Sequence, residues 1–524
     1  MKHFCTAGPV QADIHYVLPP LERVNREEIL GLVEARKYFT LHAPRQTGKT
    51  SVLLALVDDL NASGRYRALY INVEAAQAAR EDYVEANRII VSLLTREARR
   101  VYPNDSFAEA EPSQSAPGDL LGHMLAQWTS RSALPTCLLI DEIDALIGDS
   151  LLSVLRQLRA GYVNRPLAFP QCVVLCGVRD IRDYRIHGTK EVITGGSAFN
   201  IKAESIRLRD FSTGEIRALY QQHTAETGQV FDEAVYPLVW ELTQGQPWLV
   251  NALAFEACFK LQKDRAKPIS TDVINEAREK LILDRVTHLD QLADKLKEPR
   301  VRRVIQPILN GDERFDSSFS EDDDLQYVVD LGLVRRGRNG LEIANAIYRE
   351  VIPRQLTYIT QIEMESRERT AWYVAPSGKL DIAKLIASFQ QFFRENSEIW
   401  LERYQYREAG PQLLLQAFLQ RIVNGGGRIE REYALGRKRT DLLIVWNHPG
   451  GVQRAVIEIK LLRGSIEKTI AEGSEQTAEY VDRSGAEEGH LIIFNRDDRA
   501  SWDEKVFRRE AATAAGPSIT IWGM

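Results

Sequence analysis

The chain has 524 residues, 44% hydrophobic and 27% charged, a globular balance that excludes disordered and fibrous classes. At roughly 100–200 residues per domain, this length predicts three or four domains. The formal net charge of −6 argues against a surface coated in positive charge for non-specific nucleic-acid binding, while leaving room for a local basic site.

No apolar run is long enough for a transmembrane helix, and residues 1–16 lack the apolar core of a signal sequence. The five cysteines include no Cys-x-x-Cys pair; Cys137, Cys172 and Cys176 lie in apolar runs and read as buried thiols. A soluble, cytoplasmic protein that does not engage a membrane is expected.

In chain order, the first 200 residues alternate helical patterns (Ser51–Leu60, Leu151–Arg159) with short apolar runs at Tyr38–His42, Ala68–Val73, Cys137–Ile140 and Cys172–Cys176. Such runs read as strands buried on both faces, and the alternation predicts a doubly wound parallel α/β sheet. From about 205 the strand signal fades, and helices are predicted at Glu215–Glu226, Glu233–Leu242 and Trp248–Leu261. Helices at 299–309 and 321–331, then a hairpin at Val334–Ile343, give the order of a winged helix. A boundary near 365–378 precedes an amphipathic helix from Ile382 and a mixed helix–strand region to the end. The predicted parts are 1–204, 205–265, 266–370 and 371–524.

Ala43-Pro44-Arg45-Gln46-Thr47-Gly48-Lys49-Thr50, followed by Ser51, links a predicted strand to a predicted helix. This is the context of a phosphate-binding loop: backbone N–H groups wrap phosphates, Lys49 reaches the β/γ oxygens and the Thr50 hydroxyl binds Mg²⁺. The first position of the pattern is Ala43 where glycine is usual. About ninety residues on, Cys137-Leu-Leu-Ile-Asp141-Glu142-Ile-Asp144 is a buried strand ending in acids. Asp141 would hold Mg²⁺ through water, and Glu142 would polarise the attacking water.

These motifs, with Gly8-Pro-Val, Pro-Pro-Leu-Glu-Arg23, Gly245-Gln-Pro-Trp-Leu-Val-Asn251 and Ile343–Pro353, resemble bacterial AAA-like ATPases related to the archaeal and STAND types. The resemblance covers about 1–360 and implies ATP with Mg²⁺, a lid placing Gly245 and Pro247 near the base, and a homo-oligomer completing the site. It implies a polar sensor at Arg179 or Asp180, and an arginine finger from Arg179, Arg182 or Arg185; surface arginines on a loop are the plainer reading of these.

A second constellation lies at 408–480. Arg439-Thr-Asp441-Leu-Leu-Ile-Val-Trp446 and Ala455-Val-Ile-Glu458-Ile-Lys460-Leu461 read as strands joined by a polar loop, Asn447–Gln453. Glu458 and Lys460 share a face with Val456, opposite Ile457, Ile459 and Leu461. Charges inside an apolar strand are costly unless paired or bound to metal, and two carboxylates with a lysine suit a Mg²⁺ site. The pattern resembles the PD-(D/E)XK nuclease superfamily, with Gln476-Thr-Ala-Glu-Tyr480 matching its Gln-x-x-x-Tyr motif and Glu408 its helix glutamate; Glu430 and Glu432 are rivals for that role. The resemblance implies a restriction-endonuclease-like mixed sheet, Mg²⁺ or Mn²⁺ on Asp441 and Glu458, and DNA as substrate.

Residues 421–470 carry ten Arg and Lys against five Asp and Glu, with Gly436-Arg-Lys-Arg439 beside Asp441. Two functions follow as expectations: an ATP-regulated nuclease, or a nucleotide-dependent switch that binds nucleic acid or protein without cutting.

Overall fold

The computed structural model describes residues 2–103, 116–180, 185–187, 192–194, 199–283, 294–296, 298–309, 323–337, 340–352, 373–403, 415, 418–419, 427–435, 438–462, 464–495, 497, 500–513 and 518–524. Within these, only the backbone is described at 185–187, 192–194, 202–203, 306–307, 309, 395–403, 430–435 and 438–441. The chain divides into two compact units, 1–290 with 316–347, and 291–315 with 348–524. The region 266–370, predicted as one winged helix, is shared between them.

Unit 1 is built on strands β1 (Tyr38–His42), β2 (Arg67–Asn72), β3 (Thr136–Asp141), β4 (Cys172–Gly177) and β7 (Lys202–Arg207), in the order β2-β3-β4-β1-β7 and all parallel. A small antiparallel ribbon of β5 (Arg185–His187) and β6 (Val192–Thr194) stands apart from this sheet. Helices α1 (Arg26–Glu34), α2 (Lys49–Ala62), α3 (Tyr83–Val101), α4 (Leu120–Arg131) and α5 (Gly148–Gly161) accompany the strands. β3 and β4 are buried along their whole length, as continuous apolar strands of a covered parallel sheet should be. Alternate residues feed two cores: Leu138, Ile140, Val173 and Leu175 on one face, Cys137, Leu139, Val174 and Cys176 on the other. All five cysteines are free and buried.

The helical part of unit 1 comprises α6 (Thr213–Thr227), α7 (Val235–Thr243), α8 (Pro247–Phe255) and α9 (Thr271–Leu283). A capping box of Ser212 and Glu215 starts α6, and Gly228 ends it in a left-handed conformation. The predicted helix Trp248–Leu261 changes to a π-helical turn at Glu256–Leu261. Helix α10 (Pro299–Leu309) belongs to unit 2, whereas α11 (Asp323–Asp330) and the hairpin β8 (Val334–Gly337) with β9 (Gly340–Ile343) belong to unit 1.

Unit 2 holds a six-stranded mixed sheet, β10 (Arg428–Leu435), β11 (Lys438–His448), β12 (Gly451–Leu461), β13 (Glu488–Phe494), β15 (Ile519–Gly523) and β14 (Phe507–Ala511), in that spatial order. β12, β13 and β15 run parallel; the flanking pairs are antiparallel. Helix α12 (Ile382–Arg403) covers one face, where Leu385, Ile386 and Phe389 meet Ile457, Ile492 and Trp522. Helix α13 (Ile466–Ser484) covers the other, where Ala478 and Val481 meet Val456 and Leu491.

The polar segment Asn447–Gln453 is mostly strand: Trp446↔Gln453, Asn447↔Val452 and His448↔Gly451 pair, leaving Pro449-Gly450 as the turn. The Gln453 side chain is buried, its amide bonded to the main chain of Leu380 at 2.8 and 3.0 Å, which satisfies a polar group that the sequence places in a loop. Among the described residues no helix is long and apolar enough to cross a membrane.

Candidate nucleotide site and carboxylate–lysine cluster

The parallel sheet brings the two N-terminal motifs together, because β4 alone separates β1 from β3. β1 leads into the loop 43–48 and α2 begins at Lys49. Gln46 (φ 57°) and Gly48 (φ 88°) hold left-handed conformations that turn the chain over the helix start. No side chain caps α2, which leaves its start suited to an anion.

Ala43 explains the departure from the glycine pattern. It is fully buried in the core beneath the loop, and its N–H donates to the Gly177 carbonyl at 3.2 Å. Its φ is not positive, so no glycine is required. Of the residues expected to line the phosphates, Ala43 has its N–H engaged by Gly177 and Pro44 has no N–H, so Gln46, Thr47, Gly48 and the start of α2 are left to supply main-chain donors. Lys49 is buried and its Nζ donates to the carbonyls of Ala43 and Pro44, both at 3.0 Å, which keeps the ammonium inside the loop.

Thr50 Oγ1 donates to Asp141 Oδ2 at 2.7 Å, and Tyr70 OH donates to the same oxygen at 3.0 Å. A hydroxyl and a fully buried carboxylate at this distance form a hard-oxygen pair that fits Mg²⁺. Glu142 donates its N–H to Asp141 Oδ1 at 2.9 Å and sits at φ 55°, an uncommon conformation for a glutamate. Burial pushes its carboxyl above the usual range, with Lys49 opposing the shift and Asp141 and Asp144 adding to it. Asp144, also raised by burial, accepts the Val178 N–H and so ties the end of β4 to the acid-bearing turn.

Beside the loop lies an open cavity lined by Gln46 and Gly48 of the loop, Ser51 of α2, and Pro247, Trp248 and Asn251 of α8. Pro247 is there as expected; Gly245 is not among the lining residues. Gly245 instead permits a close approach: at φ 79°, a Cβ would collide with the Phe211 carbonyl. The sequence reading missed the N-terminal wall, which includes Cys5, Tyr16 and Arg23. That wall is fastened to α8, since Trp248 Nε1 donates to the Thr6 carbonyl at 2.8 Å and the Cys5 N–H to Asn251 Oδ1 at 3.2 Å. Arg23 donates to the Thr47 and Arg209 carbonyls and lies 4.9 Å from the Phe211 ring centroid. Burial lowers its guanidinium to about 10.

Of the sensor and finger candidates, Arg179 lies 5.1 Å from the Tyr327 ring and Asp180 is buried; Arg182 and the Arg185 side chain lie outside the described residues. The α11–hairpin segment packs on unit 1, with Gly332 against Pro44 and Arg335 donating to Gln244 Oε1.

In unit 2, Glu458 is 2% exposed on the α13 face of β12. Lys460 Nζ reaches Glu458 Oε1 at 2.9 Å and Gln476 Oε1 at 2.9 Å, and Gln476 Nε2 donates to Tyr480 OH at 2.8 Å. One chain of contacts therefore joins the three predicted residues and the motif's tyrosine. Beyond the pair Leu442↔Ile457, the next residues on the two strands are Asp441 and Glu458. The Asp441, Glu430 and Glu432 side chains and all of Glu408 lie outside the described residues. Among the described residues, no three His, Cys, Asp or Glu form a metal cluster.

Residues 33–184 match a family model described as "AAA domain". No curated protein matches the chain. Similar solved structures include the Walker-type ATPase PABY2304 of Pyrococcus abyssi, at 13% identity and TM-score 0.45, over 67% of this chain and 99% of that one. The ORC2 protein of Aeropyrum pernix follows at 15% identity and TM-score 0.40, over 66% of this chain and 96% of that one. The RuvB Holliday junction branch migration motor of Thermotoga maritima is 13% identical with TM-score 0.32, over 63% of this chain and 94% of that one. The loop, the Thr50–Asp141 pair and Glu142 thus stand together within residues 33–184, the part of the chain that matches the AAA domain model.

Proposed function

We propose that this cytoplasmic chain hydrolyses ATP in unit 1, and that its nucleotide state governs a metal-dependent nuclease in unit 2 that cuts DNA. The observation that carries the nuclease reading is the buried Glu458 held by Lys460, itself held by Gln476. A buried carboxylate paired with a lysine that is about a third exposed is a weak device for stability, so a chemical role is the better account of the pair.

In unit 1, Lys49 and the α2 N–H groups bind the phosphates while Glu142 takes a proton from the attacking water. Thr50 and Asp141 would hold Mg²⁺, which supplies charge neutralisation on the phosphoryl oxygens. In unit 2, Asp441 and Glu458 would hold Mg²⁺ or Mn²⁺. Lys460 orients water or stabilises the charge that develops at phosphorus, and Gln476 fixes the Lys460 ammonium. A second copy of the chain could complete the ATP site with an arginine.

The test is cleavage of single- and double-stranded DNA and RNA with Mg²⁺ or Mn²⁺, with and without ATP. Lys49→Ala should abolish ATP hydrolysis, and Asp441→Ala should abolish cutting while sparing hydrolysis. Cutting that survives Asp441→Ala and Lys460→Ala would overturn the nuclease reading. Nucleotide-dependent DNA binding without any cutting would favour the non-cutting switch.

A further inference from the structure

A parallel sheet has two distinct poles. The nucleotide loop occupies the C-terminal ends of the strands; the N-terminal ends form the opposite pole, where α1, α2, α4 and α5 finish and lead into β1, β2, β3 and β4. α3 finishes there too, since Tyr102 OH donates to the Ala68 carbonyl at the start of β2.

The last turns of these five helices, their described connections and the first residues of the strands they enter contain nine basic residues: Arg36, Lys37, Arg65, Arg67, Arg99, Arg100, Arg131, Arg159 and Arg165. They contain two acids, Glu34 and Asp59. Both acids already have partners, Glu34 with Arg65 and Asp59 with Arg26, each at 2.8 Å. Widening the count by one turn adds Arg96 and Arg156, together with Glu27, Glu28, Asp58 and Glu97, the last paired with Arg100. A clear basic excess remains in a chain whose net charge is −6.

Helix dipoles account for arginines in last turns, as at Arg99, Arg100, Arg131 and Arg159. They do not account for the connections and strand starts, which supply the other five. There the guanidiniums are braced on rings: Arg67 lies 4.1 Å from the Tyr102 centroid and Arg165 lies 3.2 Å from that of Tyr162. Eight of the nine cations are arginine, whose planar fork matches phosphate oxygens and, once braced, loses little freedom on binding.

We infer that this pole is a docking surface for a nucleic-acid backbone, read by charge rather than by sequence, and built from residues other than those of the ATP loop and of the basic segment beside Asp441. The inference shares with the proposed function the expectation that nucleic acid is the partner, but needs no cutting.

The test uses the full chain in EDTA, with a fluorescent DNA duplex titrated at several salt concentrations. Two variants are compared with wild type: Arg36→Gln, Lys37→Gln, Arg99→Gln and Arg131→Gln together, and Arg437→Gln, Lys438→Gln and Arg439→Gln together. Each phosphate neutralised contributes roughly 0.9 to the slope of log affinity against log salt. The pole variant should bind at least about tenfold more weakly with a slope lower by up to about 3.6, at unchanged melting temperature and unchanged ATPase rate without DNA.

An unchanged affinity and slope in the pole variant would overturn the inference, as would tighter binding of polyglutamate than of DNA at equal salt. Loss of all binding in the 437–439 variant alone would overturn it while leaving the nuclease reading intact. Pole-dependent binding without cutting would do the reverse.

Discussion

Glu142 combines three properties that serve catalysis at the expense of stability: partial burial, a left-handed backbone and proximity to Asp141. Its pKa is higher folded than unfolded, so above the folded value the ionised carboxylate opposes folding; that penalty is relieved as pH falls through the folded pKa. Glu142→Gln removes the charge in a similar shape. Its melting temperature at neutral pH should therefore rise, while ATP turnover falls roughly 10²–10⁴-fold. Wild-type turnover should lose activity on the acid side at a pH above the ordinary glutamate range, and calorimetry with a pH–rate profile checks both. Arg23 is the complementary case. Arg23→Ala should cost about 1–3 kcal/mol by leaving the Thr47 and Arg209 carbonyls without their donor, with a raised KM for ATP. Lys49, Thr50, Asp141 and Glu142 were legible in the sequence because strand, turn and helix fix each of them locally. Arg23, Tyr16 and Cys5 were not, because their places depend on partners about two hundred residues or more along the chain: Arg209, His223 and Asn251.

At the scale of elements, alternation made β12 readable to the face: Val456 joins the α13 core and Ile457 and Ile459 the α12 core, leaving Glu458 and Lys460 with α13. β7 and β14 went unread because edge strands carry no continuous apolar run; β14 exposes Arg508, Arg509 and Glu510 in succession. The same view separates two kinds of fragile element. Gly245→Ala places a Cβ against the Phe211 carbonyl at a positive φ, so the turn into α8 must shift, at a cost of order 1–3 kcal/mol and with weakened ATP binding. Lys460→Ala strips Glu458 of a partner it meets at 2.9 Å; with Lys460 about a third exposed, the loss should be smaller than the ~3–5 kcal/mol of a fully buried pair. Glu458→Gln with Lys460→Met should regain most of that stability and none of the cutting. Urea unfolding of the three proteins, paired with cleavage and nucleotide titrations, separates positioning from simple loss of fold.

For the whole molecule, regulation is an equilibrium statement and can be tested as one. If the nucleotide state of unit 1 changes the affinity of the protein for DNA by some factor, DNA must change nucleotide affinity by the same factor. Couplings of this kind are typically about 1–3 kcal/mol, or roughly 5–150-fold. The measurement is nucleotide affinity with and without saturating DNA, against DNA affinity with and without saturating non-hydrolysable ATP analogue, all with Asp441→Ala so that DNA stays intact. The two ratios should agree and differ from one. Lys49→Ala should abolish the nucleotide effect on DNA while leaving basal DNA affinity in place, because neither the sheet pole nor residues 437–439 involve the phosphate loop. Ratios of one in both directions would mean that the ATPase and the carboxylate–lysine cluster share a chain without communicating. In that case a nucleotide effect on cutting could enter only through rates, since the reciprocity binds affinities and not turnover.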